Sequence, residues 1–262
     1  MTLCNRILAR GALLVLAACT SPAAYAAPEE KDATLAQRLH ASYRAVKTIS
    51  CEIRKAVTAE GKTVRWLSRV HYRAPNRIHV ENVAPLKRRI IADGTNVYYH
   101  VKGYAKGFSA PLSKLDEPML SASRNIPATP VEHLVKLLDK PETVLPATDD
   151  FPLRRGYRVG SAMVVLSCDA HGRLAQVDFF KTPKAEALVA QYVYSSFAET
   201  TGGAWIPRRH KAKLILPDRE KITETRRIDN LVVDEPLAEA LFDASLFFKG
   251  IEFVDDFREA MR

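Results

Sequence analysis

The sequence predicts an α+β fold, mainly antiparallel β, and three observations carry that prediction. The first is alternation over residues 64–73. Val64, Trp66, Val70 and Tyr72 fall on one side of an extended chain and Arg65, Arg69, His71 and Arg73 on the other, with Ser68 on the apolar side and Leu67 the exception. A strand with one dry and one wet face requires this period of two. The second is the regular return of turn signals: Ala74-Pro75-Asn76, Asp93-Gly94, Asp169-Ala170-His171-Gly172, Thr201-Gly202-Gly203 and Pro217-Asp218. That rhythm fits a sheet that curls rather than an α/β sandwich. The third is that helical spacing is confined to a few short stretches.

In order, Arg6 and Arg10 precede the apolar run Gly11–Ala18, and Pro22 stands ahead of Ala24-Tyr25-Ala26. This is the pattern of a secretory signal over residues 1–26, cleaved before Ala27. A competing reading takes Leu16-Ala17-Ala18-Cys19 as a lipobox, with Cys19 acylated. Both readings export the chain, and the apolar run is shorter than the ~20 residues of a membrane-crossing helix. Loss of the leader lowers the net charge from +9 to about +7. In an exported protein such a surplus points to anionic headgroups or an acidic partner rather than nucleic acid, or simply to a solvated sheet face.

Asp32 is the expected cap of an amphipathic helix carrying Leu35, Leu39, Tyr43 and Val46. Ile49, Cys51 and Ile53 alternate as the first strand, ending at Glu60-Gly61. A meander follows through Ile78 and Val80, Arg89 to Ile91, and Val97 to Val101, its hairpin set by Asp93-Gly94. Gly103 and Gly107, beside Tyr104 and Phe108, suggest a flexible aromatic connection. Residues 111–152 read as helices and loops: Leu112, Leu115, Met119 and Leu120 in one short helix, then a start at Thr129-Pro130-Val131-Glu132 leading into Leu134, Val135, Leu137 and Leu138. Strands resume at Tyr157–Val159, Met163–Cys168, Leu174–Phe180, Leu188–Phe197, Trp205–Leu216 and Ile222–Val233, before a short helix from Pro236 to Leu241.

Arg73, Pro75-Asn76, Pro85, Ile90-Ile91-Ala92-Asp93-Gly94 and Tyr98-Tyr99, in that order, resemble the LolA-like superfamily of periplasmic lipoprotein carriers and outer-membrane lipoprotein-sorting proteins. Asn230-Leu231-Val232-Val233-Asp234 with Leu237 and Phe242 extends the likeness toward the C-terminus. The resemblance implies one domain over residues 27–262: a curved, half-open antiparallel β-barrel with helices covering its concave face, 111–152 serving as a helical lid or insert. It also implies a lipid-binding cavity, for which Trp66, Tyr72, Ile78, Val80, Ile90, Tyr99, Tyr192 and Tyr194 are the lining candidates. For each residue singly, filling a conventional core is the alternative. Arg73, one position further from Pro75 than the family arginine that holds the lid closed, is the gating candidate with Leu134 and Leu138.

Cys51 and Cys168 remain once the leader is set aside, and in an oxidising compartment they form either one disulfide or two separate buried thiols. Chemistry is harder to find. His171 beside Asp169 lies in a turn signal, Arg208-Arg209-His210-Lys211 reads as a charged edge or outer face, and Ser50 and Ser167 lack a nucleophile elbow. No phosphate loop, zinc spacing or calcium loop is present, so no cofactor or metal is expected. The expectation is a monomeric periplasmic carrier of lipid acyl chains or a lipoprotein, with an inner- or outer-membrane partner protein and no catalysis. The alternative is an envelope sensor or interaction protein anchored through Cys19. An acyl chain in such a cavity gains about 0.8 kcal/mol per buried CH₂, roughly 10 kcal/mol for a dozen before ordering costs.

Overall fold

The computed structural model describes residues 33–115, 131–182, 184, 186–215 and 221–261. The leader, Cys19, Asp32 and the helix starts expected at Met119-Leu120 and Thr129 therefore lie outside the described residues. Fourteen strands form one open sheet: β1 (Thr48–Ala59), β2 (Lys62–Arg73), β3 (Arg77–Ala84), β4 (Arg88–Asp93), β5 (Asn96–Val101), β6 (Lys106–Pro111), β7 (Glu142–Val144), β8 (Leu153–Val159), β9 (Ala162–Cys168), β10 (Leu174–Phe180), β11 (Leu188–Glu199), β12 (Trp205–Ile215), β13 (Lys221–Val233) and β14 (Glu252–Val254). Their order is β14-β6-β5-β4-β3-β2-β1-β13-β12-β11-β10-β9-β8-β7. All pairings are antiparallel except β14 on β6, which is parallel. The closure of β1 on β13, far apart in sequence, joins the two meanders into one sheet.

Register assigns every side chain a face. Ile49, Cys51, Ile53, Lys55, Val57 and Ala59 of β1 stand opposite Tyr72, Val70, Ser68, Trp66, Val64 and Lys62 of β2. These make the inner face, and Arg65, Arg69, His71 and Arg73 the outer one. The expected alternation is therefore present, and Leu67, its exception, sits outside.

One buried cluster unites Ile49, Cys51 and Ile53 of β1 and Val70 of β2 with Ile206 of β12, Val164 and Leu166 of β9 and Tyr157 of β8. Strands β2 and β8 are seven steps apart in the sheet order; in a flat sheet they would be roughly 34 Å apart. They reach the same core because the sheet curls around two helices, α1 (Leu35–Arg44) and α2 (Val131–Val135). Leu35, Ala36 and Tyr43 of α1, and Leu134 and Leu137 in and after α2, fill the middle.

The cap of α1 is Thr34 rather than the expected Asp32. The Thr34 hydroxyl accepts from the Gln37 N–H at 3.3 Å, and the Gln37 side-chain carbonyl accepts from the Thr34 N–H at 2.8 Å. This reciprocal box satisfies donors that every helix start exposes.

Two further expectations change. Residues 104–108 are not a loose connection, because Lys106–Pro111 pair with β5 as β6. The described part of 111–152 also holds more than the expected helices and loops, since Glu142–Val144 add β7 to the edge of β8.

After β13 the chain crosses the outer face of β3–β5 through a 3-10 turn at Glu239–Phe242 and helix α3 (Ala244–Phe247). Phe247 packs on His79 with ring centroids 4.6 Å apart, and on Arg89 at 4.8 Å. Strand β14 then borders the sheet, and helix α4 (Phe257–Ala260) turns onto the inner face, where Phe257 meets Tyr99 and Phe108 at 5.4 and 5.6 Å. The C-terminal segment thus wraps one sheet edge from outside to inside.

Candidate functional site

The inner face carries the side chains expected to line a cavity, but divides them among three clusters. Tyr194 is buried in the main core, with Tyr72, Val80 and Tyr192 half-buried against it. Ile78 is buried in a second cluster under α4, where Ile90, Tyr99 and again Val80 pack. Trp66 belongs to a third, with Val57, Ala59, Ile222 and Leu214, at the end of the strands farthest from α1. Ile78 and Tyr194 therefore fill core, whereas Trp66, Tyr72, Val80, Ile90, Tyr99 and Tyr192 keep accessible surface. No described helix belongs to the third cluster.

Between the first and third clusters runs a polar belt that the sequence reading missed. Lys55 faces Arg226 across β1 and β13, and Arg226 faces His210 across β13 and β12. Glu224, one inner-face position along, lies 2.6 Å from the Lys55 ammonium and 2.9 Å from Arg226 Nη2. His210 stacks nearly parallel to Tyr192 and Tyr194, with interplanar angles of 9° and 14° and centroids at 5.6 and 5.2 Å.

Burial pushes the Glu224 carboxyl up, but the Arg226 and Lys55 charges outweigh it and bring its pKa down to about 2. Burial, helped by Arg226, lowers His210 to about 3, so its imidazole is neutral at ordinary pH. Burial also lowers Lys55, with Arg226 and Arg88 adding positive field. Among the described residues neither ring nitrogen of His210, nor Asn82 Oδ1 or Arg88 Nε, has a hydrogen-bond partner.

A signal for the belt existed: Lys55 interrupts an apolar series of inner parity, Ile49-Cys51-Ile53 before it and Val57-Ala59 after it. His210 had been read with its neighbours as edge or outer face. Strand β12 is instead interior to the sheet, and the two neighbours of His210, Arg209 and Lys211, point outward.

Arg73 does not meet Leu134 and Leu138. Its parity puts it on the outer face, where its guanidinium hydrogen-bonds Glu239 and the Leu237 carbonyl and lies 5.1 Å over the Phe242 ring. Arg77 holds the same Glu239 carboxylate. These contacts tie the C-terminal segment to the outer face of β2. Leu134 is fully buried, and the Leu138 carbonyl accepts from the Gln37 side chain at 2.9 Å, tying the segment after α2 to α1.

Cys51 and Cys168 are free, buried thiols, so of the two arrangements the sequence allowed, the structure has separate thiols and not the disulfide. Strands β13, β12, β11 and β10 separate β1 from β9 in the sheet, and α1 occupies the core between them. Burial pushes each thiol up to about 12.

Two cavities open on the outer face. One of about 750 Å³ lies beneath the C-terminal strap, between Arg77, Tyr98, Phe242 and Phe253. The other, about 540 Å³, is walled by the outward side chains Arg54, Arg65, Arg209, Lys211 and Arg227.

The Ser50 hydroxyl lies 3.0 Å from His71 Nδ1, also outside. Ser50 borders the register shift between β1 and β13, and among the described residues no carboxylate is hydrogen-bonded to the other ring nitrogen of His71 to orient it, as nucleophilic catalysis needs. Asp169 accepts from the His171 and Arg173 N–H groups, which is turn geometry. Among the described residues no group of three His, Cys, Asp or Glu side chains is placed to hold a metal ion, and no helix is long and apolar enough to cross a membrane.

No family model matches the sequence, and no curated protein matches it. Solved structures do. A LolA-superfamily protein from Nitrosomonas europaea is 12% identical at a TM-score of 0.53, with 82% of this chain aligned to 100% of that one. An outer-membrane lipoprotein-sorting domain from Vibrio parahaemolyticus gives 10% identity and a TM-score of 0.55 over 81% of this chain and 96% of that one. A DUF1329 family protein from Desulfovibrio piger gives 13% and 0.53 over 81% and 95%. At these identities the likeness is one of fold: the chain shares the open, curved, helix-filled half-barrel of these structures.

Proposed function

We propose that this chain is an exported, periplasmic carrier that shelters the acyl chains of a lipid or lipoprotein against the inner face of its sheet. One observation carries the reading: the apolar inner face continues beyond the helix-filled core into the cluster of Trp66, Val57, Ile222 and Leu214, which no described helix covers. Apolar surface on a concave face is what a lipid tail requires, and its transfer from water supplies the driving force without any catalytic group. The fold shared with lipoprotein-sorting proteins supports the same reading. Binding rather than turnover is the activity proposed, with Trp66, Val80, Ile90, Tyr99 and Tyr192 as contact residues.

The test is native mass spectrometry and lipid extraction of the full chain recovered from the envelope. A co-purifying species of lipid mass, near one per protein, is the expected result. Lipid-free protein that also takes up no fluorescent fatty acid would overturn the reading. The mass of the mature N-terminus in the same experiment decides between cleavage before Ala27 and acylation of Cys19.

A further inference from the structure

The inner-face belt gathers basic side chains in a largely buried setting. Lys55 and Arg226 flank the Glu224 carboxylate on the inner face, Arg88 adds positive field at Lys55, and His210 stacks on Tyr192 and Tyr194. Glu224 and Arg226 side chains are only 15% and 17% exposed, and that of Lys55 34%.

The belt is also under-bonded. Arg88 faces Asn82 across β4 and β3, and Asn82 faces Ser68 across β3 and β2, bringing three polar groups beside Trp66 and Lys55. Asn82 Oδ1, Arg88 Nε and both nitrogens of His210 are buried and, among the described residues, without hydrogen-bond partners. The row presents N–H donors from β4, β13 and β12 and an ammonium from β1. Donors converging from several strands match the tetrahedrally arranged oxygens of a phosphate better than a planar carboxylate.

We infer that this belt is a binding site for a phosphate group, carried as the headgroup of the lipid whose tails the inner face shelters. Lys55 and Arg226 supply charge, His210 a neutral N–H held flat by its two tyrosines, and Arg88 a further donor. Glu224 keeps Lys55 and Arg226 in place before the ligand arrives. The apolar cluster of Trp66, Leu214 and Ile222 on one side of the belt is the seat for the chains. The site rests on the carrier reading and adds the ligand class to it.

The test compares two lipids with identical chains, dipalmitoylphosphatidylglycerol and dipalmitoylglycerol, offered to the purified full chain and counted by native mass spectrometry. The expected result is a preference of at least roughly tenfold for the phosphate-bearing lipid. Lys55→Met and Arg88→Gln, each shown to be folded by circular dichroism, should bring the ratio near one while uptake of dipalmitoylglycerol persists. Equal uptake of both lipids by the unmodified protein would overturn the headgroup site and leave the carrier reading standing. Uptake of neither would overturn the carrier reading and the site with it. A third arm titrates inorganic phosphate. Saturable binding that shifts the His210 resonances, with no preference between the lipids, would place a free anion in the belt and overturn the lipid assignment. Should both variants unfold, the ratio measured for the unmodified protein decides alone.

Discussion

The Tyr157 hydroxyl donates to Glu142 Oε2 at 2.7 Å, and the same carboxylate oxygen accepts the Leu35 N–H at 2.8 Å. The tyrosine oxygen in turn accepts the Ala36 N–H at 3.0 Å. A carboxylate from β7 and a phenol from β8 thus take two of the donors that the first turn of α1 leaves unpaired, and they set a negative charge at the positive end of the helix. This contact joins the sheet edge to the helix that fills the concave side.

Removing it should loosen α1. Burial pushes the Glu142 carboxyl up, but hydrogen bonds from Leu35 and Tyr157 and the Arg155 charge hold it below the usual value. Its contribution is therefore full above the ordinary glutamate pKa and lost as pH falls through the depressed folded value. Glu142→Gln should cost about 1–3 kcal/mol in urea unfolding at pH 7, with a smaller penalty in acid. Equal costs at both pH values would show that the charge is irrelevant.

Glu224 gives a second acid-sensitive contribution. Its pKa falls from 4.5 to about 2, so its stabilising effect is complete above 4.5 and disappears as pH falls toward 2. Glu224→Gln leaves Lys55 and Arg226 without their carboxylate and should destabilise the fold by about 3 kcal/mol at pH 7. Chemical denaturation across pH 2–7 checks this; a variant as stable as the parent at pH 7 would contradict it.

Gly107 is a close-approach glycine. A Cβ built there would meet the Phe253 ring at 2.6 Å and the Tyr99 carbonyl at 3.1 Å. Gly107→Ala should push β14 off β6, costing about 1–3 kcal/mol and exposing amides 252–254 to faster hydrogen exchange. Phe253→Ala in the same chain should recover most of the β6 protection, because the clash is with that ring.

The buried thiols should resist alkylation. Peptide mapping after iodoacetamide treatment should find Cys51 and Cys168 unmodified in the native protein and both labelled in denaturant. Burial and a pKa near 12 deny each a thiolate. Recovery of a Cys51–Cys168 disulfide-linked peptide from unreduced protein would contradict the free-thiol arrangement.

The faces of individual strands were legible because period two is a local property. Trp66 and Tyr72 inside, with Arg69 and Arg73 outside, follow from spacing alone. The turns at Asp93-Gly94 and Asp169–Gly172 were legible because glycine at positive φ has few other uses there. Strand β7 was not, since three residues carry no period and owe their place to the pairing with β8. The role of Arg73 was not legible either, because its partners Leu237 and Glu239 are more than 160 residues away. The belt was half legible: Lys55 stands out in an apolar series, but its company with Glu224, Arg226 and His210 depends on β1 pairing with β13.

By itself the sequence determined what neighbours along the chain can decide: alternation, turn chemistry and the amphipathic helix. Only the tertiary structure decided which strands close the sheet, that Cys51 and Cys168 stay apart, that the C-terminal segment straps the outer face, and that four polar side chains from three strands meet in the concavity. Those outcomes depend on contacts between distant segments, whose pairing is set by the burial of the whole inner face around α1 and α2 rather than by any one stretch.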